Sequence, residues 1–348
     1  MMNLCRWMLK RIKLFVLFWT RIVFVRNNFK VSFFNKLRMN FGGGYLADQY
    51  VLYDLKNNDK REYLSEFDWY RSRYINEPFD FAFNNKVVCN EILKQYIRTP
   101  EIYFIKNKNI IYAFNDGVKD TEDIYDFLID KKKLVIKPFA LGKGNGVHVL
   151  TAEKNELYLD GVRCEKTSLI SLLEKENEYI ASEYMEQQEY ANKLYDKTVN
   201  TIRLVTIRDI DSHEFKIHFA VQRIGRASTI PVDNGSKGGL VAKIDIETGI
   251  LSKARCLHDL NEYEKHPDSG AFIEGVVVPN WDKIKDTVLD LCKRIPYMDI
   301  IAWDILVQEN GICVIEANTS SGVNILQLWG GQRQTELGIF FRKYNVIK

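Results

Sequence analysis

Two acidic side chains interrupt apolar runs in the C-terminal part of the chain, where a plain core strand would carry none. Asp304 lies in residues 301–307 and Glu316 in residues 312–317. The polar, glycine-containing stretch between these runs is typical of a hairpin turn. Burying a lone carboxylate costs several kcal/mol unless a cation or a hydrogen-bond donor meets it. The two acids therefore need a partner, and a shared one requires that the hairpin bring them together.

The register of this hairpin decides whether the acids meet. A three-residue loop, residues 309–311, pairs Gln308 with Ile312 and ends in a left-handed glycine. Because paired residues share a face of the sheet, this register places Asp304 opposite Glu316. A two-residue loop, Asn310-Gly311, would put the two acids on opposite faces of the hairpin.

Asn318 follows Glu316 by two residues and shares its face of the predicted strand. Two carboxylates and an amide oxygen are hard ligands that suit Mg²⁺. The sequence thus predicts a magnesium site made by Asp304, Glu316 and Asn318. The alternative is a strand pair whose acids lie at a solvent-exposed end and bind nothing.

A lysine and a glycine-rich loop form a second candidate site upstream. Lys137 lies in the strand pattern of residues 134–138, and the loop of residues 140–146 leads into another strand pattern at 147–150. Glycines at alternate positions allow backbone N–H groups to close over phosphates. The loop is neither a Walker A loop nor a dinucleotide fingerprint, because a strand follows it and not a helix. It predicts a flap over a nucleotide, with an ordinary glycine hairpin as the alternative. Its candidate contact residues are Gly142, Lys143, Gly144 and Gly146.

Three further stretches combine strand patterns with polar groups that a ligand could use. Residues 179–188 have the pattern of an apolar strand that ends in acids and amides. Such an end could bind an adenine through backbone groups and a ribose through a polar side chain. A simple amphipathic strand and turn is the alternative. Arg203 lies inside one strand pattern and Arg223 near the end of the next, and a buried arginine requires an anion. The polar loop of residues 231–240 predicts an anion-binding nest or a plain connection. The candidate substrate contacts are Arg223 and, from this loop, Asp233, Asn234, Gly238 and Gly239.

Composition fits a folded soluble protein of one large domain or a few subdomains, with 348 residues, 27% charged and 46% hydrophobic. The net charge is +3, but the residues before Asp48 contain nine basic and no acidic side chains, which leaves −6 for the remainder. A nucleic-acid binder would be basic over its body, so no nucleic-acid partner is expected. The six cysteines lack CxxC pairs and predict reduced thiols in a cytoplasmic protein.

The N-terminal segment, residues 1–40, mixes those basic charges with aromatic and aliphatic side chains. Its longest uninterrupted apolar run, residues 14–19, is far shorter than the ~20 residues that span a bilayer. The pattern predicts a basic amphipathic helix on the anionic inner face of the membrane. The alternative is a helix packed on the body with a solvated basic face. The glycine run at residues 42–44 predicts a flexible joint to the body.

Taken in chain order, these features resemble the ATP-grasp superfamily, and within it the branch called sugar-transfer-associated ATP-grasp. The resemblance covers about residues 42–330. It rests on the order of NNK at 84–86, VIKPFALGKGNGVHVL, EYMEQQ, NTIRLVT, VDNGSKGGL with IDIETG, HPDSG and IAWDILVQENGICVIEAN. It implies an α+β fold in which two α+β subdomains clasp ATP. The helical, basic membrane-surface segment predicted from residues 1–40 themselves would precede these subdomains.

The resemblance and the pattern of residues 1–40 together lead us to expect four regions. They are the basic amphipathic N-terminal segment (1–40), an N-terminal helical and α+β region (41–130), a small subdomain with the glycine-rich flap (131–192), and a C-terminal subdomain with the metal site (193–348).

The resemblance also implies roles by position. The residues similar to the family's ATP contacts are Lys86, Lys137, Gly142, Lys143, Gly144, Gly146, Glu183, Tyr184, Met185, Gln188 and Arg203. One residue after the hinge would bind the ribose, and Glu186, Gln188 and Glu189 are the candidates for it. Lys137 and Arg203 would also take part in catalysis. Asp304, Glu316 and Asn318 would be the Mg²⁺ ligands.

The activity that this resemblance implies is that of an ATP- and Mg²⁺-dependent, ADP-forming ligase. It would join a carboxylate to an amine through an acyl phosphate, in capsular, exopolysaccharide or other surface-glycan biosynthesis. Its partners would be ATP, a carboxylate, an amine, a glycan precursor and the cytoplasmic membrane surface. The alternatives are a kinase that phosphorylates a sugar or lipid-linked hydroxyl, and a non-catalytic membrane-surface module.

Overall fold

Two antiparallel sheets carry the fold in a computed structural model, which describes residues 2–114, 120–139, 144–154 and 156–348. The strands are β1 (Ile102–Asn107), β2 (Ile110–Ala113), β3 (Lys133–Pro138), β4 (His148–Glu153), β5 (Glu156–Leu159), β6 (Val162–Cys164), β7 (Tyr179–Glu183), β8 (Ile202–Arg208), β9 (Phe215–Ile224), β10 (Leu240–Ile244), β11 (Leu251–Cys256), β12 (Glu262–Tyr263), β13 (Ile300–Gln308) and β14 (Gly311–Asn318). The helices are α1 (Met2–Phe18), α2 (Phe33–Phe41), α3 (Ala47–Leu52), α4 (Glu66–Ser72), α5 (Asp80–Asn84), α6 (Lys86–Leu93), α7 (Thr121–Lys131), α8 (Lys166–Lys175), α9 (Glu189–Leu194), α10 (Trp281–Arg294), α11 (Val323–Leu326) and α12 (Glu336–Lys343).

The small sheet has the order β2-β1-β7-β3-β4-β5-β6, and the large sheet has the order β12-β11-β10-β9-β8-β13-β14. The predicted strands on either side of the glycine loop, β3 and β4, do pair antiparallel. Strand β1 pairs with β7, so residues 102–113 belong to the same sheet as the strands that follow residue 130. Helices α7 and α8 pack on one face of this sheet and bury Leu134 and Ile136 of β3. Alternation along a strand turns Val135 and Lys137 to the opposite face.

The large sheet is covered on both faces, which explains why β13 is buried along almost its whole length. One face packs on α10, whose buried Ile284, Val288 and Leu291 recur at helical spacing. The other face packs on the N-terminal helical region and α12, where Ile300 and Ala302 join the core. The next residue of β13 on that second face is an acid, residue 304, which lies beyond the end of this core.

The hairpin between β13 and β14 has a tighter loop than the sequence predicts. Gln308 pairs with Gly311, so the loop has two residues and the predicted pairing of Gln308 with Ile312 is wrong. The register nevertheless shifts within the hairpin, because Ile305 pairs with residue 314 whereas Asp304 pairs with residue 316. Residue 315 is the extra residue of a β-bulge, and this bulge restores the predicted juxtaposition of the two acids.

The N-terminal segment packs on the body in the structure. The ring centroid of Phe18 lies 5.5 Å from that of Phe67, and Ile22 is fully buried. The predicted flexible joint is also packed, because a side chain at Gly44 would clash with Phe67, whose N–H donates to the Gly44 carbonyl. Packing on the body is what the alternative expects, but the exposed side of α1 carries apolar as well as basic side chains. Within the described ranges, no helix has both the length and the apolar content needed to cross a membrane.

Candidate nucleotide-binding site

A cavity lies between the two sheets and collects most of the predicted site residues. Those that line it are Lys86, Lys137, Gly144, Glu183, Tyr184, Met185, Arg203, Arg223, Asp233, Asn234, Asp304, Glu316 and Asn318. Gly146 belongs to the turn that leads from this lining into β4.

Other predicted site residues lie away from the lining. Gln188 and its ribose-binding alternatives, Glu186 and Glu189, do not line the cavity, and neither do Gly238 and Gly239. Gly142 and Lys143 lie outside the described residues. The roles assigned to all of these residues stay predictions.

A stripe of charged side chains crosses four strands of the large sheet. Arg203 on β8 pairs with Asp304 on β13, and Asp304 pairs in turn with Glu316 on β14. Arg223 on β9 lies two residues from Val221, the partner of Arg203, and so shares this face. Two basic side chains are therefore followed by two acidic ones across the floor of the cavity.

Asp304 is held by both arginines of this stripe. Its carboxylate accepts hydrogen bonds from Arg203 Nε at 2.5 Å and Nη2 at 3.0 Å, and from Arg223 Nη1 at 3.4 Å. Burial alone would raise the pKa of Asp304, but the two guanidinium groups outweigh burial and hold the pKa below its usual value. Asp304 is therefore a carboxylate at neutral pH.

A second acid fixes the position of Arg223. Asp233 accepts from Arg223 Nη2 at 2.8 Å and from Nε at 3.3 Å. The same carboxylate accepts from the backbone N–H and the hydroxyl of Thr201, each at 2.7 Å. These contacts hold the guanidinium at the cavity wall, since a buried arginine with several charge-assisted hydrogen bonds has little freedom.

Two lysines reach the cavity from outside the large sheet. Lys86 is the first residue of α6, where Asn85 caps the helix by accepting from the N–H groups of residues 87 and 88. Its Nζ lies 3.5 Å from Glu316 Oε1. Lys137 comes from β3 of the small sheet, and burial lowers its pKa, with Lys86 lowering it further and Glu316 acting in the opposite direction. An anion near Lys137 would restore the charge that burial disfavours.

The three predicted metal ligands all line the cavity. Asn318 donates its amide nitrogen to the Ala302 carbonyl at 3.4 Å, which leaves the amide oxygen as the atom available to a cation. In the described part of the chain, no group of three or more His, Cys, Asp or Glu side chains is arranged to hold a metal. The predicted set of Asp304, Glu316 and Asn318 contains only two such side chains, because its third member is an amide.

The glycine loop and the polar loop of the large sheet meet over the cavity. Gly144 and Gly146 have φ of 65° and 66°, a left-handed backbone that favours glycine. Lys237 Nζ donates to the Gly144 carbonyl at 2.7 Å, which ties the two loops together. Within the second loop, the Gly239 N–H donates to the Asn234 carbonyl.

The predicted adenine-binding hinge follows β7. Glu183 is fixed by Arg98, whose Nη2 donates to both carboxylate oxygens at 2.7 and 2.5 Å. In residues 2–114, 120–139, 144–154 and 156–348, no backbone hydrogen bond uses the N–H groups of Tyr184 or Met185. Gln188 instead caps α9 by accepting from the residue 190 N–H, so its side chain serves the helix.

Sequence reasoning missed some residues that shape the site. Val135 and Val149 are paired on β3 and β4 and form an apolar wall of the cavity. The alternation of Val135 with the buried residues beside it could have indicated this wall. Arg98 and Lys237 carry no local signal, because their partners are 85 and 93 residues away in the chain.

A family sequence model described as sugar-transfer associated ATP-grasp matches residues 68–337, more than three quarters of the chain. The chain belongs to this family. This match confirms the predicted ATP-grasp superfamily and its sugar-transfer-associated branch. The two sheets, each with its helices, confirm the predicted α+β fold of two subdomains. No curated protein matches the chain.

Solved ATP-grasp structures are similar to the chain at low sequence identity. D-alanine–D-alanine ligase from Helicobacter pylori is 15% identical, with 78% of this chain and 68% of that chain covered and a TM-score of 0.43. The Bacillus anthracis D-alanine–D-alanine ligase complexed with ATP is 15% identical, with 76% and 65% covered and a TM-score of 0.40. N5-carboxyaminoimidazole ribonucleotide synthetase from Thermotoga maritima is 12% identical, with 73% and 48% covered and a TM-score of 0.37. The chain spans about half the length of the first structures it matches.

Proposed function

We propose that this ATP-grasp protein is an ADP-forming ligase that uses ATP and Mg²⁺ to join a carboxylate to an amine in surface-glycan biosynthesis. The observation that carries the proposal is the cavity between the two sheets. It gathers charged and polar side chains from distant parts of the chain, namely Lys86, Lys137, Arg203, Asp304, Glu316 and Asn318.

The charge of the cavity suits an anionic nucleotide. Glu183 is neutralised by Arg98. The remaining charged lining residues are four basic and three acidic, namely Lys86, Lys137, Arg203, Arg223, Asp233, Asp304 and Glu316. A net positive cavity favours phosphates over neutral ligands.

The apolar wall and the hinge support binding of the adenine. The N–H groups of Tyr184 and Met185, which make no backbone hydrogen bond within the part of the chain that the structure describes, would bind its polar edge. Val135 and Val149 would contact its ring. A flat aromatic ligand suits such a site, because its faces need apolar contacts and its edge needs hydrogen-bond partners.

The phosphates would lie between the lysines and the flap. Lys86 and Lys137 would bind them. Gly144 and Gly146 of the flap would cover them and exclude water, which matters because hydrolysis of an acyl phosphate wastes ATP.

The oxygen donors of Asp304, Glu316 and Asn318 fit Mg²⁺ in chemistry. Bound there, Mg²⁺ would neutralise charge on the phosphates during transfer. Arg203 lies beside this set through its pair with Asp304 and would bind the transferred phosphoryl group.

The proposed reaction has two steps. A carboxylate oxygen of the acid attacks the γ-phosphorus of ATP, the bond to the β-phosphate oxygen breaks, and ADP leaves. The amine nitrogen then attacks the acyl carbon, the bond to the phosphorylated oxygen breaks, and inorganic phosphate leaves while the amine loses a proton. Arg223, held by Asp233, is the group we assign to the carboxylate before it reacts.

An isotope experiment tests this reaction class. The protein is incubated with ATP, Mg²⁺ and candidate sugar acids labelled with ¹⁸O in the carboxylate, with hydroxylamine as the amine. A ligase transfers one label to inorganic phosphate and forms a hydroxamate with ADP. In a parallel reaction without hydroxylamine, a stable phosphorylated product would instead assign the kinase. AMP release in either reaction would rule out both activities.

The proposed place of action is the cytoplasmic face of the membrane, where lipid-linked glycan precursors are available. The nine basic side chains before Asp48 support this location through their attraction to anionic lipid.

A further inference from the structure

The first helix carries two apolar stripes on opposite sides. The inner stripe, Leu14, Leu17 and Phe18, is partly buried, and Phe18 packs against Phe67 of the body. The outer stripe comprises Met8, Leu9, Ile12, Phe15 and Val16, which are 50 to 65% exposed. Their spacing of three and four residues keeps them on one side of the helix. The body therefore holds the helix so that this second stripe faces away.

Aromatic contacts extend the outer stripe beyond α1. The ring centroid of Phe15 lies 6.2 Å from that of Trp19, which stacks on Phe24 at 5.7 Å and contacts Phe41 at 6.0 Å. Phe24 and Phe41 are themselves exposed. We call this continuous surface, made by the five outer-stripe residues with Trp19, Phe24 and Phe41, the outer face. A contiguous exposed apolar surface of this kind marks an interaction site.

Basic side chains border the outer face. By helical spacing, Arg6 and Lys13 follow one edge of the stripe, since they are seven residues apart, and Arg11 follows the other. All three are exposed. An apolar strip between two basic edges matches a lipid surface, in which acyl chains lie below anionic headgroups.

We infer that the outer face docks on an anionic lipid surface, with α1 lying in the plane of the interface. Charge argues against a second copy as the occupant. Two outer faces in contact would bring two basic segments together, since residues 1–47 of each chain hold nine basic side chains and no acid. The inference names the surface that would hold the protein at the proposed location on the membrane. Only the biological reason for this docking rests on the proposed function.

Vesicle co-sedimentation of the full chain tests the inference. The vesicles contain phosphatidylcholine alone or mixed with phosphatidylglycerol, and the mixed vesicles should bind the protein far more tightly. Replacing two outer-stripe residues, Leu9→Ser with Ile12→Ser, should weaken binding on the order of tenfold or more. Arg6→Gln with Lys13→Gln should weaken it roughly 30-fold at low salt.

Matched controls replace comparably exposed residues elsewhere. Val162→Ser with Leu260→Ser removes apolar side chains that are 70% and 63% exposed, and Lys131→Gln with Lys193→Gln removes two charges. These variants should bind as the wild type does. Equal binding to both vesicle types, or wild-type binding by the Leu9→Ser, Ile12→Ser variant, would overturn the inference. So would a dimer in solution that this variant abolishes.

ADP binding, followed by calorimetry on the same samples, separates this inference from the proposed ligase. Variants of the outer face should bind ADP unchanged, which also shows that they are folded. Vesicle binding without any ADP binding would leave the docking surface standing and remove the proposed function.

Discussion

Asp304 and Arg203 form a two-point ion pair across β13 and β8, with hydrogen bonds of 2.5 and 3.0 Å. The pair is almost fully buried, and Arg223 adds a third contact to the same carboxylate. Arg223 also pairs with Asp233, whereas Asp304 is the one acidic partner of Arg203 among the described residues. Asp304 is therefore the buried partner of an arginine. The side chain of Glu316 is more exposed to the cavity, and its partner is Lys86.

Asp304→Asn should lower stability more than Glu316→Gln does. Removing one charge from a buried ion pair leaves its partner uncompensated, which costs about 3–5 kcal/mol. Glu316 is about a quarter exposed and its pair with Lys86 is long, so its loss should cost about 1 kcal/mol or less. Urea unfolding measures both, and equal losses would contradict the assignment of Asp304 as the buried partner of Arg203.

Lys137→Ala and Glu316→Gln should each slow turnover without removing the fold. Each group contributes charge stabilisation to phosphoryl transfer, expected to be worth at least about 2–4 kcal/mol, or roughly 30- to 1,000-fold in rate. Hydroxamate formation with a reactive acid measures the rate. Lys131→Ala, a partly exposed lysine on α7, is the control and should leave the rate unchanged. Near-normal turnover in either site variant would show that the catalytic cavity lies elsewhere.

As pH rises, ADP affinity should begin to fall at a lower pH than it would if Lys137 had the pKa of an ordinary lysine. Burial lowers the pKa of Lys137 below its ordinary value, so its proton, and with it the charge that attracts phosphate, is lost at a lower pH. Calorimetry across alkaline pH measures this. Lys137→Arg keeps its charge throughout and should flatten the profile. An unchanged profile in that variant would mean that another group titrates.

The pair of His148 and Asp160 should make stability depend on pH near neutrality. The hydrogen bond from His148 Nδ1 to Asp160, 2.8 Å long, raises the pKa of His148 above its ordinary value of 6.5. Its stabilisation is thus fully present below about pH 6.5 and is lost as pH rises through the folded-state pKa. Asp160 has a left-handed backbone, which asparagine also tolerates, so Asp160→Asn should leave the backbone unchanged. The free energy of unfolding should fall more at acid pH than at alkaline pH. Thermal melts at several pH values compare the two proteins, and a loss independent of pH would exclude this role.

Asp233→Asn should weaken binding of the acid substrate while ADP binding persists. Asp233 positions Arg223 and is not itself assigned to the nucleotide. We expect KM for the acid to rise about tenfold, the equivalent of one weakened charge-assisted hydrogen bond. ADP affinity, measured by calorimetry, should stay within about twofold. Equal losses of both would place Arg223 at the phosphates instead.

The sequence alone determined the order of the elements and the family, because both depend on local patterns. The capped start of α6 at Lys86, the β3–β4 pair around the glycine loop and the amphipathic α10 follow from turn residues and periodicity. Family motifs recur in chain order, so the superfamily was also accessible.

Tertiary structure alone decided how the charges meet. The acids face one another only because the bulge at Ile315 compensates for a two-residue loop, and no local pattern fixes a bulge. Gln188 became a helix cap, and Arg223 found Asp233, through geometry that spans separate elements. The outer stripe of α1 was left exposed because the body covers only one side of the helix. Pairings between residues far apart in sequence depend on packing, which periodicity does not encode.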